Sequence, residues 1–285
     1  MNVRVIDNFE APLDRLLSDA LTEAQEARFA VGFVSKNGLA LVEKRVLKVL
    51  EAGGDVEFIV ALDGEATESG AVRLLYELSC CYECASLYCY PPLGPSKALY
   101  HPKMYLVRHA EARTCIIGSS NLTNAGLAQN LEVNVLIEGD ATDEPVSDAY
   151  GAYARLKHDR RCVSPDDHLI DLYEDLWQCS EELRTSKARA QKQRALVKAL
   201  GQHMKGLPCP ERRRSDLIGW LGMVYDVLPE GEFTNRDVYR YEKQFKEHYP
   251  NNENVQAKIR QQLQRLRDMG VVEHSGPGRW RLVTR

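Results

Sequence analysis

Two short polar motifs lie on two predicted consecutive strands. They limit the possible fold and function of this chain more than any other feature. The run YHPKMYL covers residues 100–106, and GSSN begins at Gly118, fifteen residues after Lys103. Side chains two apart on a strand project to the same face, so His101 and Lys103 lie together. The GSSN run ends the next predicted strand, 114–117, after a turn at 109–112. The hairpin therefore brings His101 and Lys103 close to Ser119 and Asn121.

These four side chains suit reaction at phosphorus without a metal. An imidazole can act as nucleophile or acid, an ammonium binds phosphate oxygens, and hydroxyl and amide groups donate hydrogen bonds. Either motif alone means little, since H-x-K is common and G-S-x-N also occurs as a turn. Their order on consecutive strands makes the hypothesis specific.

Composition indicates an ordinary globular protein. The 285 residues are 44% apolar and 27% charged, as in typical soluble domains. No apolar run approaches the roughly 20 residues that cross a bilayer. The polar N-terminus does not resemble a secretory signal. We therefore expect a cytoplasmic protein without a membrane partner.

Eight cysteines raise the question of a metal. Cys81 and Cys84 form a C-x-x-C, with Cys80 and Cys89 nearby. Zinc sites usually combine two such pairs, and the second pair is missing here. Cys89 also falls in a strand-like run, 85–90. Buried reduced thiols are the favoured interpretation, and we expect no metal and no cofactor.

The first 160 residues alternate helix and strand, which is typical of an α/β sandwich with a mixed sheet. The apolar pattern predicts helices at 12–28, 39–51 and 71–78, and strands at 29–34, 56–62, 85–90 and 131–137. From Ser147 the pattern becomes helical, with one or two long helices over 166–206. We place a catalytic domain at 1–165 and a basic helical linker at 166–214.

Residues 215–285 read as a separate unit. Helices are predicted at 216–227, 234–248 and 254–269, with Thr234 and Asp237 as a capping pair for the second. Two short strands, 271–274 and 280–283, follow around a Ser-Gly-Pro-Gly turn. Three helices and a β-hairpin in this order predict a winged helix.

Residues 5–160 resemble the phospholipase D superfamily, specifically its single-motif nucleases. That family's signature is H-x-K, then G-S-x-N at the end of the next strand, then an acidic residue. The matching positions are His101, Lys103, Gly118, Ser119, Asn121 and Glu132. The runs GSSNLTNAGL, 118–127, and NLE, 130–132, are very close to the family. Arg108 stands where the family often has Asp, a position usually described as structural.

The resemblance implies a two-step displacement shared by a homodimer. One His attacks phosphorus and forms a phosphohistidine, while the other protonates the leaving oxygen. In this scheme Glu132 could orient His101, as the acidic member of a catalytic triad does. One imidazole cannot act on both sides of an in-line phosphorus, so the single motif also argues for a two-fold dimer.

The net charge of −4 hides a division between the two halves of the chain. Residues 1–183 carry 16 Lys and Arg against 30 Asp and Glu, and residues 184–285 carry 21 against 11. The basic excess favours a polyanion partner. The alternative is a charged linker helix with solvated faces.

The third helix of the second unit has a candidate DNA-reading face. Its apolar stripe is Val255, Ile259, Leu263 and Leu266, and the other face carries Asn254, Lys258, Arg260, Gln261, Gln264 and Arg265. Asn, Gln and Arg read base edges in the major groove. The wing adds Arg279 and Arg281 for phosphates. An ordinary solvated helix face is the competing interpretation.

Residues 215–283 resemble the C-terminal winged helix of the Dam-replacing restriction enzymes, through FTNRDVY, 233–239, and KIRQQLQRLRDMG, 258–270. In that family the module binds DNA at short specific sequences. The combined hypothesis is a metal-independent, type II-like DNA endonuclease that acts on double-stranded DNA as a homodimer, without a nucleotide cofactor. Two alternatives stay open. One is a regulatory or defence-complex protein with a catalytically silent first domain, and the other is a lipid or nucleotide phosphodiesterase.

Overall fold

The computed structural model describes residues 1–8, 12–63, 66–91, 99–182, 187–211, 213–250 and 252–283. For residues 180–193 it does not describe the side chains. The chain forms two compact units. We call residues 2–138 and 160–210 the sheet unit, and residues 139–159 and 211–285, with Met1, the winged-helix unit. None of the helices within the described ranges is long and apolar enough to cross a bilayer.

The sheet unit is built on seven strands in the order β1-β7-β6-β5-β2-β3-β4. Neighbours β2, β3 and β4 are parallel, and β5 pairs antiparallel with both β2 and β6. The sheet is therefore mixed, which confirms the predicted α/β class. The strands are β1 Asn2–Asp7, β2 Glu26–Val31, β3 Asp55–Ala61, β4 Ala85–Tyr90, β5 Lys103–Arg108, β6 Arg113–Gly118 and β7 Val133–Gly139.

Helices pack their apolar stripes against the sheet to form one core. Its centre includes Phe29 and Phe58, whose rings stack 4.6 Å apart, and Tyr105, which meets Phe29 edge-on. Aromatic pairs of this kind stabilise a core beyond the area that they bury. The helices of this unit are α1 Leu13–Ala20, α2 Lys36–Glu51, α3 Ser69–Cys81, α5 Asp167–Glu182 and α6 Lys187–Met204.

Two boundaries in this unit differ from expectation. The predicted helix 12–28 ends at Ala20, because Glu26 already begins β2. Glu26 and Arg28 are buried on that strand and pair at 3.0 Å, so charged residues here do not mark a surface helix. The segment proposed as a linker differs too: α5 buries Leu169 and Tyr173 in the core of the sheet unit.

The winged-helix unit contains the predicted helices and wing. A three-stranded sheet has the order β8-β10-β9, and the second predicted helix is divided in two near Tyr241. Thr234 and Asp237 form the expected capping box. The elements are α7 Gly219–Asp226, β8 Glu232–Thr234, α8 Asn235–Tyr239, α9 Glu242–His248, α10 Val255–Asp268, β9 Val272–Gly276 and β10 Arg279–Leu282.

Helix α4, Glu144–Lys157, belongs to the winged-helix unit, although the sequence placed it before the boundary at 165. Ala154 lies in the apolar core of that unit. Lys157 Nζ is 3.1 Å from Asp216 Oδ1, and both side chains are fully buried. His158 Nε2 contacts the other carboxylate oxygen at 3.0 Å. A buried ion pair of this kind requires both partners in place, so α4 is an integral part of the unit.

Candidate functional site

His101 precedes β5 and is held in place by its neighbours. The Tyr100 ring stacks on Tyr90 at 4.1 Å, and its hydroxyl donates to the Ile59 carbonyl at 3.1 Å. On the other side, Gly32 N donates to Pro102 O at 2.8 Å. These contacts fix the backbone around His101 while its side chain stays exposed.

The end of β2 forms the wall behind the imidazole. A Cβ added to Gly32 would lie 2.7 Å from His101 Nδ1, so the ring packs directly on this glycine. The Phe33 ring lies 4.8 Å from the His101 ring. Asn121 Oδ1 accepts a hydrogen bond from Phe33 N at 3.0 Å. Within the described residues Asn121 Nδ2 has no partner, which leaves it available to a ligand.

Lys103 is the cation of this site and is only 8% exposed. Its Nζ donates to His101 O at 3.0 Å and lies 5.9 Å from the centre of the Phe33 ring. It forms no ion pair within the described ranges. Burial lowers the pKa of Lys103, and the nearby Glu132 carboxylate opposes that shift. A partly desolvated ammonium without a paired anion favours an anionic ligand.

The electrostatics of His101 favour the neutral imidazole. Burial is the main cause that lowers its pKa, and the positive charge of Lys103 lowers it further. Asp63 acts in the opposite direction. The Asp63 carboxylate is held by the backbone of its own loop, accepting from Ala66 N at 3.1 Å and Thr67 N at 3.0 Å. A lowered pKa favours the neutral imidazole, the form that can act as a nucleophile.

The Glu132 carboxylate, which the resemblance would place beside His101, accepts its hydrogen bonds from other residues. It accepts a short hydrogen bond from Ser119 Oγ and a second one, at 3.1 Å, from Asn130 Nδ2. No hydrogen bond joins Glu132 to His101 in the part of the chain described. Ser119 is fully engaged as well, because its Oγ also accepts from Val133 N at 3.0 Å. The two motif residues thus hold each other.

The GSSN loop is tied to both neighbouring strands. Tyr105 OH donates to Ser120 O at 2.9 Å, and Asn134 Nδ2 donates to Ser120 Oγ at 2.9 Å. A Cβ on Gly118 would lie 2.4 Å from Asn134 Oδ1. This close approach explains why the motif needs glycine at its first position. Asn121 then follows with its side chain directed to Phe33.

Arg108 lies at the far end of β5 from His101. Its Nη1 donates to Gln25 Oε1 at 2.7 Å, and its Nε lies 3.8 Å from Glu26 Oε2. The departure from the family pattern is therefore accommodated away from the imidazole, at the opposite end of the strand.

The four clustered cysteines separate in the structure. Cys80 and Cys81 are exposed at the end of α3, Cys84 is half-buried, and Cys89 is buried in β4. Burial raises the pKa of Cys89 strongly, which makes it a poor metal ligand. Among the described residues no cluster of three or more His, Cys, Asp or Glu could hold a metal ion.

Several predicted DNA-reading side chains are engaged within the protein. Asn254 caps α10 and accepts from Ala257 N at 3.2 Å. Lys258 forms a close ion pair with Glu144 of α4, and Arg265 Nη1 lies 2.7 Å from Asp148 of the same helix. Lys258 and Arg265 therefore face α4 and are mostly covered, so neither is free to read a base.

The other predicted DNA-reading residues are either exposed or held by ion pairs within the protein. Arg260, Gln261 and Gln264 are exposed on α10. On the wing Arg279 is exposed, whereas Arg281 pairs with Glu232 at 2.6 Å and Glu273 at 3.2 Å.

Three residues around His101 were missed from the sequence: Gly32, Phe33 and Asp63. Gly32 and Phe33 directly follow β2, and Asp63 closely follows β3. Ligands of α/β sheets commonly bind beyond the carboxyl ends of parallel strands. Polar, glycine or aromatic residues directly after a predicted buried strand were the signal that could have identified them.

Comparisons with known proteins match both units. The family model described as the PLD-like domain of cardiolipin synthase covers residues 19–152. The model described as the Dam-replacing HTH domain covers residues 215–282. The chain therefore combines a phospholipase D-like domain with a Dam-replacing type of winged-helix domain.

The solved structures that are similar to this chain include two bacterial proteins. NucT from Helicobacter pylori is 14% identical with a TM-score of 0.44, over 57% of this chain and 100% of that one. Nuc from Salmonella typhimurium, a phospholipase D family member, is 20% identical with a TM-score of 0.40, over 54% of this chain and 91% of that one.

Proposed function

We propose that a phospholipase D-like domain and a DNA-binding winged helix, joined in one chain, form a metal-independent DNA endonuclease of the type II-like restriction class. The observation that carries the proposal is the exposed imidazole of His101, packed against Gly32 and next to Lys103, whose ammonium has no ion pair among the described residues. These groups supply a nucleophile and a phosphate-binding charge. Asn121 adds a free amide donor at the same place.

In the first step His101 Nε2 attacks phosphorus, because Nδ1 is packed against Gly32. A bond forms between nitrogen and phosphorus, and the bond to the leaving oxygen breaks with its electron pair. Lys103 and Asn121 Nδ2 bind the non-bridging oxygens as negative charge develops on them. Positioning and charge stabilisation dominate phosphoryl transfer, and both are available here.

The leaving oxygen needs a proton from the side opposite to His101. We propose that the imidazolium of a second copy of the chain supplies it across a two-fold axis. Water then attacks the phosphohistidine with the same imidazole as base. The nitrogen–phosphorus bond breaks, and the first imidazole recovers its electron pair.

Ser119 and Glu132 act on the site indirectly in this scheme. Their mutual hydrogen bond holds the loop that carries Asn121. The Glu132 charge also opposes the lowering of the Lys103 pKa by burial and so favours the protonated ammonium.

The test is to trap the covalent intermediate. Phosphohistidine is stable to alkali and labile to acid, so reactions with labelled duplex DNA are stopped with denaturant at high pH. A labelled protein band is expected with the natural chain and none with His101→Ala, whose DNA affinity should be unchanged. A full-strength adduct in His101→Ala would refute the assignment.

One observation favours a second candidate. Ser119 and Glu132 are engaged with each other instead of with His101, which is compatible with a catalytically silent domain in a DNA-binding regulatory protein. This candidate predicts duplex binding with neither cleavage nor adduct, so the same experiment separates the two.

A further inference from the structure

We infer that the DNA backbone is bound by three exposed arginines of the winged-helix unit, Arg236, Arg260 and Arg279, for which the described residues supply no carboxylate partner. The paired cations Lys258, Arg265 and Arg281 do not contribute. This inference rests on the proposed function and identifies the surface through which that function acts on DNA.

The distinction between the two groups of cations follows from their ion pairs. A cation that already holds a carboxylate must give up that partner before it can bind a phosphate, and its field is largely cancelled at a distance. Lys258 and Arg265 are tied to carboxylates of α4, and Arg281 bridges two glutamates. Among the described residues Arg236, Arg260 and Arg279 have no such partner, and all three are exposed.

Two of these arginines line one open groove between α8 and the wing. None of its lining residues is acidic; they are Thr234, Asn235, Arg236, Tyr239, Pro277, Gly278 and Arg279. Two guanidinium groups across a groove without a carboxylate suit a phosphate, which guanidinium binds through paired hydrogen bonds. The groove therefore fits one phosphodiester of a DNA strand.

The floor of the groove is fixed by a contact between α8 and β10. Asn235 Oδ1 accepts from Trp280 Nε1 at 2.7 Å, and Trp280 is buried. Asn235 Nδ2 then lies beside Gly278, 3.3 Å from where a Cβ would stand. Gly278 has a φ of +66°, which favours glycine and lets the wing turn pass close to the amide.

Tyr239 connects this groove to the exposed face of α10. Its hydroxyl accepts a hydrogen bond from Arg260 Nη1 at 2.8 Å. The phenol is neutral, so the bond orients Arg260 without cancelling its charge. Gln264 is exposed one turn further along α10 and is placed to reach base edges beside the strand that the arginines hold.

The test measures duplex affinity as a function of salt for the full chain carrying His101→Ala, which prevents cleavage. Arg236→Gln, Arg260→Gln and Arg279→Gln form one set. Lys258→Gln, Arg265→Gln and Arg281→Gln form the matched set, with the same loss of charge. Fluorescence anisotropy of a labelled duplex gives the association constant, and circular dichroism confirms that each variant is folded.

Each variant of the first set should bind duplex roughly 5- to 20-fold more weakly at moderate salt. Each should also reduce the slope of log K against log salt by about 0.9, the loss of one phosphate contact. The matched set should keep the natural slope. An equal loss of slope in both sets, or a loss in the matched set alone, would overturn the inference while leaving DNA binding intact. Absence of duplex binding by the parent chain would instead overturn the proposed function.

Discussion

Gly32→Ala is the sharpest test of the site, because it adds one methyl group behind the imidazole. The new Cβ would lie 2.7 Å from His101 Nδ1 and 3.3 Å from His101 Cα. Ordinary contact begins at 3.4 Å, so the ring must retreat by about 0.7 Å. Gly32 is outside the left-handed region, and the substitution therefore adds no backbone strain.

The cost should appear in catalysis more than in stability. The His101 side chain is exposed and can move aside, which limits the effect on unfolding. The same movement displaces the attacking nitrogen, and a misplacement of about 1 Å can cost 100-fold in rate. We therefore expect kcat for DNA cleavage to fall roughly 10- to 100-fold with little change in the salt dependence of binding.

The assay compares single-turnover cleavage with thermal unfolding. Gly201→Ala is the matched control, since a Cβ there meets nothing within 4 Å and the position lies inside α6. That control should keep full activity and gain roughly 0.5–1 kcal/mol of stability. Cleavage by Gly32→Ala at the natural rate would show that His101 does not act as the nucleophile from its position against Gly32.

Three further outcomes are expected. Cleavage should persist in excess EDTA, and a strict requirement for added Mg²⁺ would contradict the proposed chemistry. Asp63→Asn removes the carboxylate that raises the pKa of His101. Activity is lost when the nucleophile is protonated, so the acid limb of the kcat/KM profile should move to lower pH. A move to higher pH would refute this assignment. Lys157→Met should destabilise the winged-helix unit by about 3–5 kcal/mol in urea titrations, because the buried Asp216 carboxylate loses its ammonium partner. Exposed Lys243→Met should have little effect, and equal stability of the two variants would exclude the buried pair.

Local features of the site could be predicted from the sequence. The H-x-K spacing and the G-S-x-N run predicted that His101 and Lys103 lie near Asn121, because hairpin pairing is a short-range rule, although His101 itself precedes β5. The apolar periodicity also predicted α10 correctly, and the capping pair at Thr234 gave the start of α8, although not the division of that helix near Tyr241.

Long-range electrostatic partners could not be predicted in this way. The pattern of α10 shows which side chains lie opposite its buried stripe, but not that Glu144, more than a hundred residues earlier, pairs with Lys258. The sequence also places α4 before the boundary at 165, because its pattern is that of one more helix of the first domain. Tertiary contacts, such as that of Lys157 with Asp216, assign α4 to the second unit.

Lys103 of the sheet unit and the arginines of the winged-helix unit should affect different kinetic constants. Residues 1–183 are strongly acidic overall, so a long polyanion gains little from them except at Lys103. We expect most of the binding energy to come from the exposed arginines Arg236, Arg260 and Arg279 of the winged-helix unit, through interactions equally present in the ground and transition states. Uniform binding of this kind lowers KM and leaves kcat unchanged. Arg236→Gln or Arg279→Gln in the active chain should therefore raise KM at constant kcat, whereas Lys103→Ala should lower kcat, because its charge stabilises the reacting phosphoryl group itself. A fall in kcat with either arginine variant would mean that the groove takes part in the chemical step.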